Sequence, residues 1–78
     1  MKVPESELRG KTVMSADGLY MGVLRALSAN IATGDLTTIH VEPSDEVDRR
    51  LHNLDNEGRI TLPFESIKAI RDVIVVTA

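Results

Sequence analysis

At 78 residues the chain has room for one domain, and a domain of that size buries only roughly 60% of the surface its unfolded chain exposes. It contains no cysteine, so neither disulfides nor thiolate zinc ligands reinforce the core, and association with a second subunit becomes the expected reinforcement. A net charge of −3, with a single tyrosine (Tyr20) and a single phenylalanine (Phe64), argues against direct nucleic-acid binding, which calls for a basic face or a base-stacking platform.

Hydrophobic and charged contents of 42% and 27% are those of a folded globular chain rather than a disordered one. The N-terminal stretch MKVPESELRG lacks the apolar core of a signal peptide, and no window approaches the ~20 apolar residues of a membrane span. A cytoplasmic protein is expected, reaching a membrane only through a partner.

Residues 1–7, with Pro4 and two glutamates, read as a flexible N-terminus preceding a domain over 8–78. Residues 8–14 suit a short first strand closed by the turn signal Ser15-Ala16-Asp17-Gly18, with Gly10 at a bulge. Residues 21–31 admit two readings. Met21, Val23, Leu27, Ala29 and Ile31 share strand parity, and a bulge near Arg25-Ala26 would turn both Leu24 and Leu27 inward. An amphipathic helix over 20–29 is the alternative, because Leu24 and Leu27 also sit at helical spacing. The flanking turns, Asp17-Gly18 and Thr33-Gly34-Asp35, have hairpin chemistry and favour the strand.

Residues 36–42 alternate cleanly, with Thr37, Ile39 and Val41 on one face and Thr38, His40 and Glu42 on the other, until Pro43 ends the strand. Composition then shifts over an insertion at 44–58, where Val47, Leu51 and Leu54 form one apolar stripe if the segment is helical. Ser44 is a candidate N-cap, Asp45–Arg49 and Glu46–Arg50 are candidate i,i+4 pairs, and Asp55-Asn56-Glu57-Gly58 reads as a turn. Ile60, Leu62 and Phe64 restore strand alternation up to Pro63, a strand-end signal, and Phe64-Glu65-Ser66 reads as a tight turn. Residues 67–70 lead to Val73, Ile74, Val75 and Val76, four consecutive β-branched residues that call for burial on both faces. The sum is an all-β chain of about six short strands, for which a small closed antiparallel barrel is the expected architecture.

No motif for catalysis or metal binding emerges. His40 and His52 lie apart in sequence and read as solvated, and the Asp45, Glu46 and Asp48 cluster lacks calcium-loop spacing. Ser6, Ser15, Ser28, Ser44 and Ser66 have no G-x-S-x-G context and no evident base. No cofactor and no enzymatic activity are expected.

Taken in order, Leu8-Arg9-Gly10-Lys11-Thr12-Val13, the turn Ser15-Ala16-Asp17-Gly18 with Gly22, Thr33-Gly34-Asp35-Leu36, Thr38-Ile39-His40-Val41, Ile60-Thr61-Leu62-Pro63-Phe64 and residues 67–76 resemble the PRC-barrel family. The resemblance implies a small, mostly antiparallel barrel, favours strand for residues 21–31, and carries no catalytic residues; members of the family act by binding other proteins. The insertion looks most like that of stand-alone archaeal members, some of which link the FtsZ ring, through the membrane-bound adaptor SepF, to other PRC-barrel proteins. A non-enzymatic adaptor at the division site, acting as a homodimer or with a PRC-barrel paralogue, is the implied role. A ribosome-associated maturation module resembling the RimM barrel is the alternative. Val73, Ile74, Val75 and Val76 are the expected dimer contact, and Val47, Arg50, Leu51 and Leu54 the expected partner surface.

Overall fold

The computed structural model describes residues 5–77; the expectation of a flexible N-terminus falls largely on residues 1–4, outside the described residues. A short helix, α1 (Glu5–Leu8), precedes six strands: β1 (Thr12–Ser15), β2 (Tyr20–Ala29), β3 (Leu36–Pro43), β4 (Ile60–Pro63), β5 (Ile67–Ile70) and β6 (Val73–Val76). They form one sheet in the order β4-β3-β2-β1-β6-β5.

Two features of that sheet correct the closed antiparallel barrel expected from sequence. First, β1 and β6 run parallel, pairing Thr12 with Val73 and Met14 with Val75. Second, hydrogen bonds do not join β4 to β5. Pro63, which has no N–H to give a ladder, ends β4, and a single 3₁₀ turn (Phe64–Ser66) swings the chain into β5. The free side of β4 is instead covered by the insertion: Leu54 bridges to Ile60, Thr61 N–H donates to Asn53 O at 2.9 Å, and Asp55 N–H donates to Arg59 O at 2.9 Å. The sheet nevertheless curls around one core. Ile60 and Leu62 of β4 share a single buried cluster with Ile74 and Val76 from near its opposite end, along with Val13, Met21, Leu24, Ile39 and Val41.

Of residues 21–31, those up to Ala29 are strand, within β2, while Asn30 and Ile31 fall in the turn that follows, where Ile31 is fully exposed. The bulge expected at Arg25–Ala26 is present, since the β2–β3 register skips from Leu24↔Val41 to Ala26↔His40. Leu24 is thereby fully buried and Leu27 packs on the same core, with Arg25 left exposed between them. The helical alternative fails because β2 has a partner along both edges, β1 and β3, whose hydrogen bonds a helix would forfeit.

Leu8 belongs to α1 rather than to the first strand, and its side chain is fully buried against the core. Gly10 accordingly ends the helical turn at φ +85 instead of forming a bulge, and its N–H donates to Leu24 O at 2.8 Å. The helix expected in the insertion contracts to one 3₁₀ turn, Arg49–Leu51. Asp48 caps it by accepting the Arg50 N–H at 3.0 Å, and the same carboxylate captures the Arg50 guanidinium at 3.1 Å, so Arg50 pairs with Asp48 and not with Glu46. Ser44 caps a turn rather than a helix, accepting the Glu46 N–H at 3.2 Å. Side-chain capture of local backbone groups by Ser and Asp competes with helix propagation in so short a segment.

Candidate functional site

The outward face of the sheet has two halves of different chemistry. Cross-strand registers place Thr12 and Met14 of β1 beside Val73 and Val75 of β6, Val75 beside Ala69 of β5, and Thr12 and Met14 beside Val23 and Tyr20 of β2. Each of these side chains is only half-buried, whereas the alternate positions Val13, Met21, Ile74 and Val76 point into the core. The β-branched run of β6 therefore splits between two surfaces. Ile74 and Val76 are committed to the core, and only Val73 and Val75 of the expected dimer contact face outward.

The other expected surface also divides. Val47 is buried with the core cluster, so Val47, Leu51 and Leu54 do not form one exposed stripe. Leu51, 78% exposed, stands on the 3₁₀ turn beside the exposed Arg50, and Leu54, 43% exposed, lies alongside β4. Losing the helical spacing separates the three residues.

The polar half of the outward face lies over β2, β3 and the insertion. Beyond the β2 bulge, Ala26 pairs with His40 and Ser28 with Thr38. The Ser28 hydroxyl is 2.7 Å from His40 Nε2, and His40 Nδ1 is 2.9 Å from Asp55 Oδ2. Asp55 heads the turn that the sequence marks, closed by Gly58 N–H donating to Asp55 O at 3.1 Å. Its other carboxylate oxygen accepts the backbone N–H groups of Glu57 at 2.8 Å and Arg59 at 2.9 Å. The Arg59 N–H, foremost, holds the Asp55 carboxyl below its usual range; burial opposes this, and the His40 and Glu57 contacts add to it.

An ionised Asp55 only accepts, so His40 Nδ1 carries the hydrogen, and in the neutral ring Nε2 is left to accept the Ser28 hydroxyl. His40 is thus not the solvated histidine its strand parity suggests. It ties β2, β3 and the insertion together, with side-chain exposure of 18%. A cleft of about 330 Å³ opens over this array, with Asn56 and Arg59 on its wall. His52, at the end of the 3₁₀ turn, takes no part. Among the described residues, no cluster of His, Asp and Glu is arranged to hold a metal ion, and no helix is long and apolar enough to cross a membrane.

The array makes a prediction for acid stability. A carboxyl whose folded-state pKa is depressed contributes stability that is fully present above its unfolded pKa and lost as pH falls through the folded value. The expected loss for Asp55 therefore lies below about pH 3.8, its ordinary value. Asp55→Asn should flatten this part of the acid unfolding curve, followed by circular dichroism; coincident wild-type and variant acid limbs would show that the carboxylate is not held as described.

Among curated proteins, no relative matches the sequence. The family model of the PRC-barrel domain matches residues 4–78, which takes in all six strands and the insertion between β3 and β4. With its curled sheet, its single core and this match, the chain belongs to the PRC-barrel family.

Proposed function

We propose that this chain is a protein-binding adaptor that associates with a second PRC-barrel, either its own copy or a paralogue, through the apolar outward face of β5, β6, β1 and the start of β2. The observation that carries this reading is the row Ala69, Val75, Met14 and Tyr20 across four strands, flanked by Val73 and Val23 with Thr12 between them. A core this small gains from covering such a face, and apolar side chains in the middle of a sheet are where area removed from water contributes most. The role is one of surface and requires no catalytic group.

Leu51, with Arg50 beside it on the 3₁₀ turn, offers a second surface where an adaptor would engage a different protein, and Leu54 lies apart from it alongside β4. The insertion's likeness to stand-alone archaeal members of the family supports a cytoplasmic place in FtsZ- and SepF-based cell division. Direct nucleic-acid binding finds no support in the charge of −3.

Affinity capture from an extract of the native cells, followed by mass spectrometry, tests the assignment. Recovery of a SepF-like protein, FtsZ or another PRC-barrel protein is expected. Recovery of ribosomal proteins in their place would overturn the division role in favour of a maturation module resembling the RimM barrel.

A further inference from the structure

Ser28, His40 and Asp55 come from three separate segments (β2, β3 and the turn before β4) yet form one hydrogen-bonded chain, at 2.7 Å from Ser28 Oγ to His40 Nε2 and 2.9 Å from His40 Nδ1 to Asp55 Oδ2. This is the order of contacts that activates a hydroxyl: a base on the nucleophile, and a carboxylate orienting the base. Backbone N–H groups anchor the far oxygen of the carboxylate, which fixes the imidazole in turn. Space for a ligand lies directly over the array. The cleft of about 330 Å³ has an apolar side at Ala26 and Leu27, and a polar wall of Asn56, Glu57 and Arg59, in which Arg59 Nη1 is paired with the Glu57 carboxylate at 2.7 Å. A purely structural tie between sheet and insertion would be served by the His40–Asp55 pair alone. The serine on Nε2 and the open cleft are the additional features.

We propose that Ser28 is a nucleophile, and that the cleft takes small carboxylic esters, which it hydrolyses through an acyl-serine. Ser28 Oγ attacks the ester carbonyl carbon as its proton passes to His40 Nε2, and the carbonyl electron pair moves onto oxygen. Collapse of this adduct breaks the carbon–oxygen bond to the alcohol, which leaves with the proton from Nε2. Water, giving its proton to the same nitrogen, then attacks the acyl-serine and releases the carboxylic acid and free Ser28. One ester and one water yield one acid and one alcohol. Ser28 and His40 act on the substrate directly, and Asp55 is a positioning residue.

Turnover of p-nitrophenyl acetate by the full chain, together with labelling by a fluorophosphonate read by intact mass and peptide mapping, tests this. Wild type is expected to turn over the ester and to take one phosphonyl group, mapped to Ser28. Ser28→Ala and His40→Asn should each lower turnover at least about 100-fold. Asp55→Asn, whose amide would donate to Nδ1 and reverse the tautomer, should slow it as well, and Asp55→Glu should restore part of the rate, a rescue that mere loss of a structural tie would not give. Wild-type turnover no greater than that of Ser28→Ala overturns the proposal. So does the lack of a Ser28 adduct in wild type, a result independent of how well any variant folds. Neither result bears on self-association, which uses the other half of the sheet.

Discussion

Gly22→Ala is expected to abolish the fold. Gly22 is buried in β2 between two partners, opposite Val13 of β1 and Pro43 of β3, at φ +147. A Cβ added there would lie 1.8 Å from the Glu42 carbonyl oxygen and 2.8 Å from its carbon, both backbone atoms that cannot rotate away. The unfavourable φ alone costs on the order of 1–3 kcal/mol for a residue with a side chain. Relieving the clash requires β2 and β3 to part where the edge of the core is sealed. A domain of this size holds a total stability near the low end of about 5–15 kcal/mol, so the two effects together exceed what the fold can bear. The expected result is loss of the cooperative thermal transition; a cooperative transition near the wild-type midpoint would contradict the strand pairing described.

Val75→Glu is expected to leave the barrel folded and to dissociate its self-associated form. Val75 lies in the middle of the apolar face, between Met14 of β1 and Ala69 of β5, and its side chain contributes little to the core that Ile74 and Val76 fill. In the free chain a glutamate there reaches water. Under a second barrel it becomes an unpaired carboxylate on apolar surface, a cost of several kcal/mol. A symmetric interface meets that cost twice, once from each copy. Since each 1.4 kcal/mol is about tenfold in affinity, weakening by at least about 100-fold follows. Unchanged circular dichroism and a lower solution mass are the expected pair of observations. An unchanged mass would remove Val75 from the interface.

The sequence made the strands legible where one face is buried and the other is wet. β3 alternates Ile39 and Val41 with His40 and Glu42, and even the bulge in β2 follows from asking how Leu24 and Leu27 can both face inward. The insertion is less legible, because its apolar spacing at Val47, Leu51 and Leu54 fits a helix while the polar residues between them prefer local capping. Tertiary placement decided the rest: Val47 went to the core and Asn53–Asp55 to the side of β4. Closure of the sheet is equally hard to read locally, since Pro63 marks an end to β4 without saying what covers it. Ser28, His40 and Asp55 were hidden altogether. Their meeting depends on the register of β2 against β3 after the bulge, and on the side of the sheet to which the 55–58 turn folds back. A register displaced by one residue would put His40 on the opposite face. The only local signal was the Asp55-Asn56-Glu57-Gly58 turn, which fixes where the carboxylate starts but not what it reaches.

Sedimentation equilibrium of the wild-type chain over a wide range of concentrations, with Val75→Glu alongside, tests the central claim most directly. A mass approaching twice that of the chain, rising with concentration and falling to the monomer value in Val75→Glu, is the expected result. A monomer at every concentration, indistinguishable from the variant, would contradict self-association through the outward face.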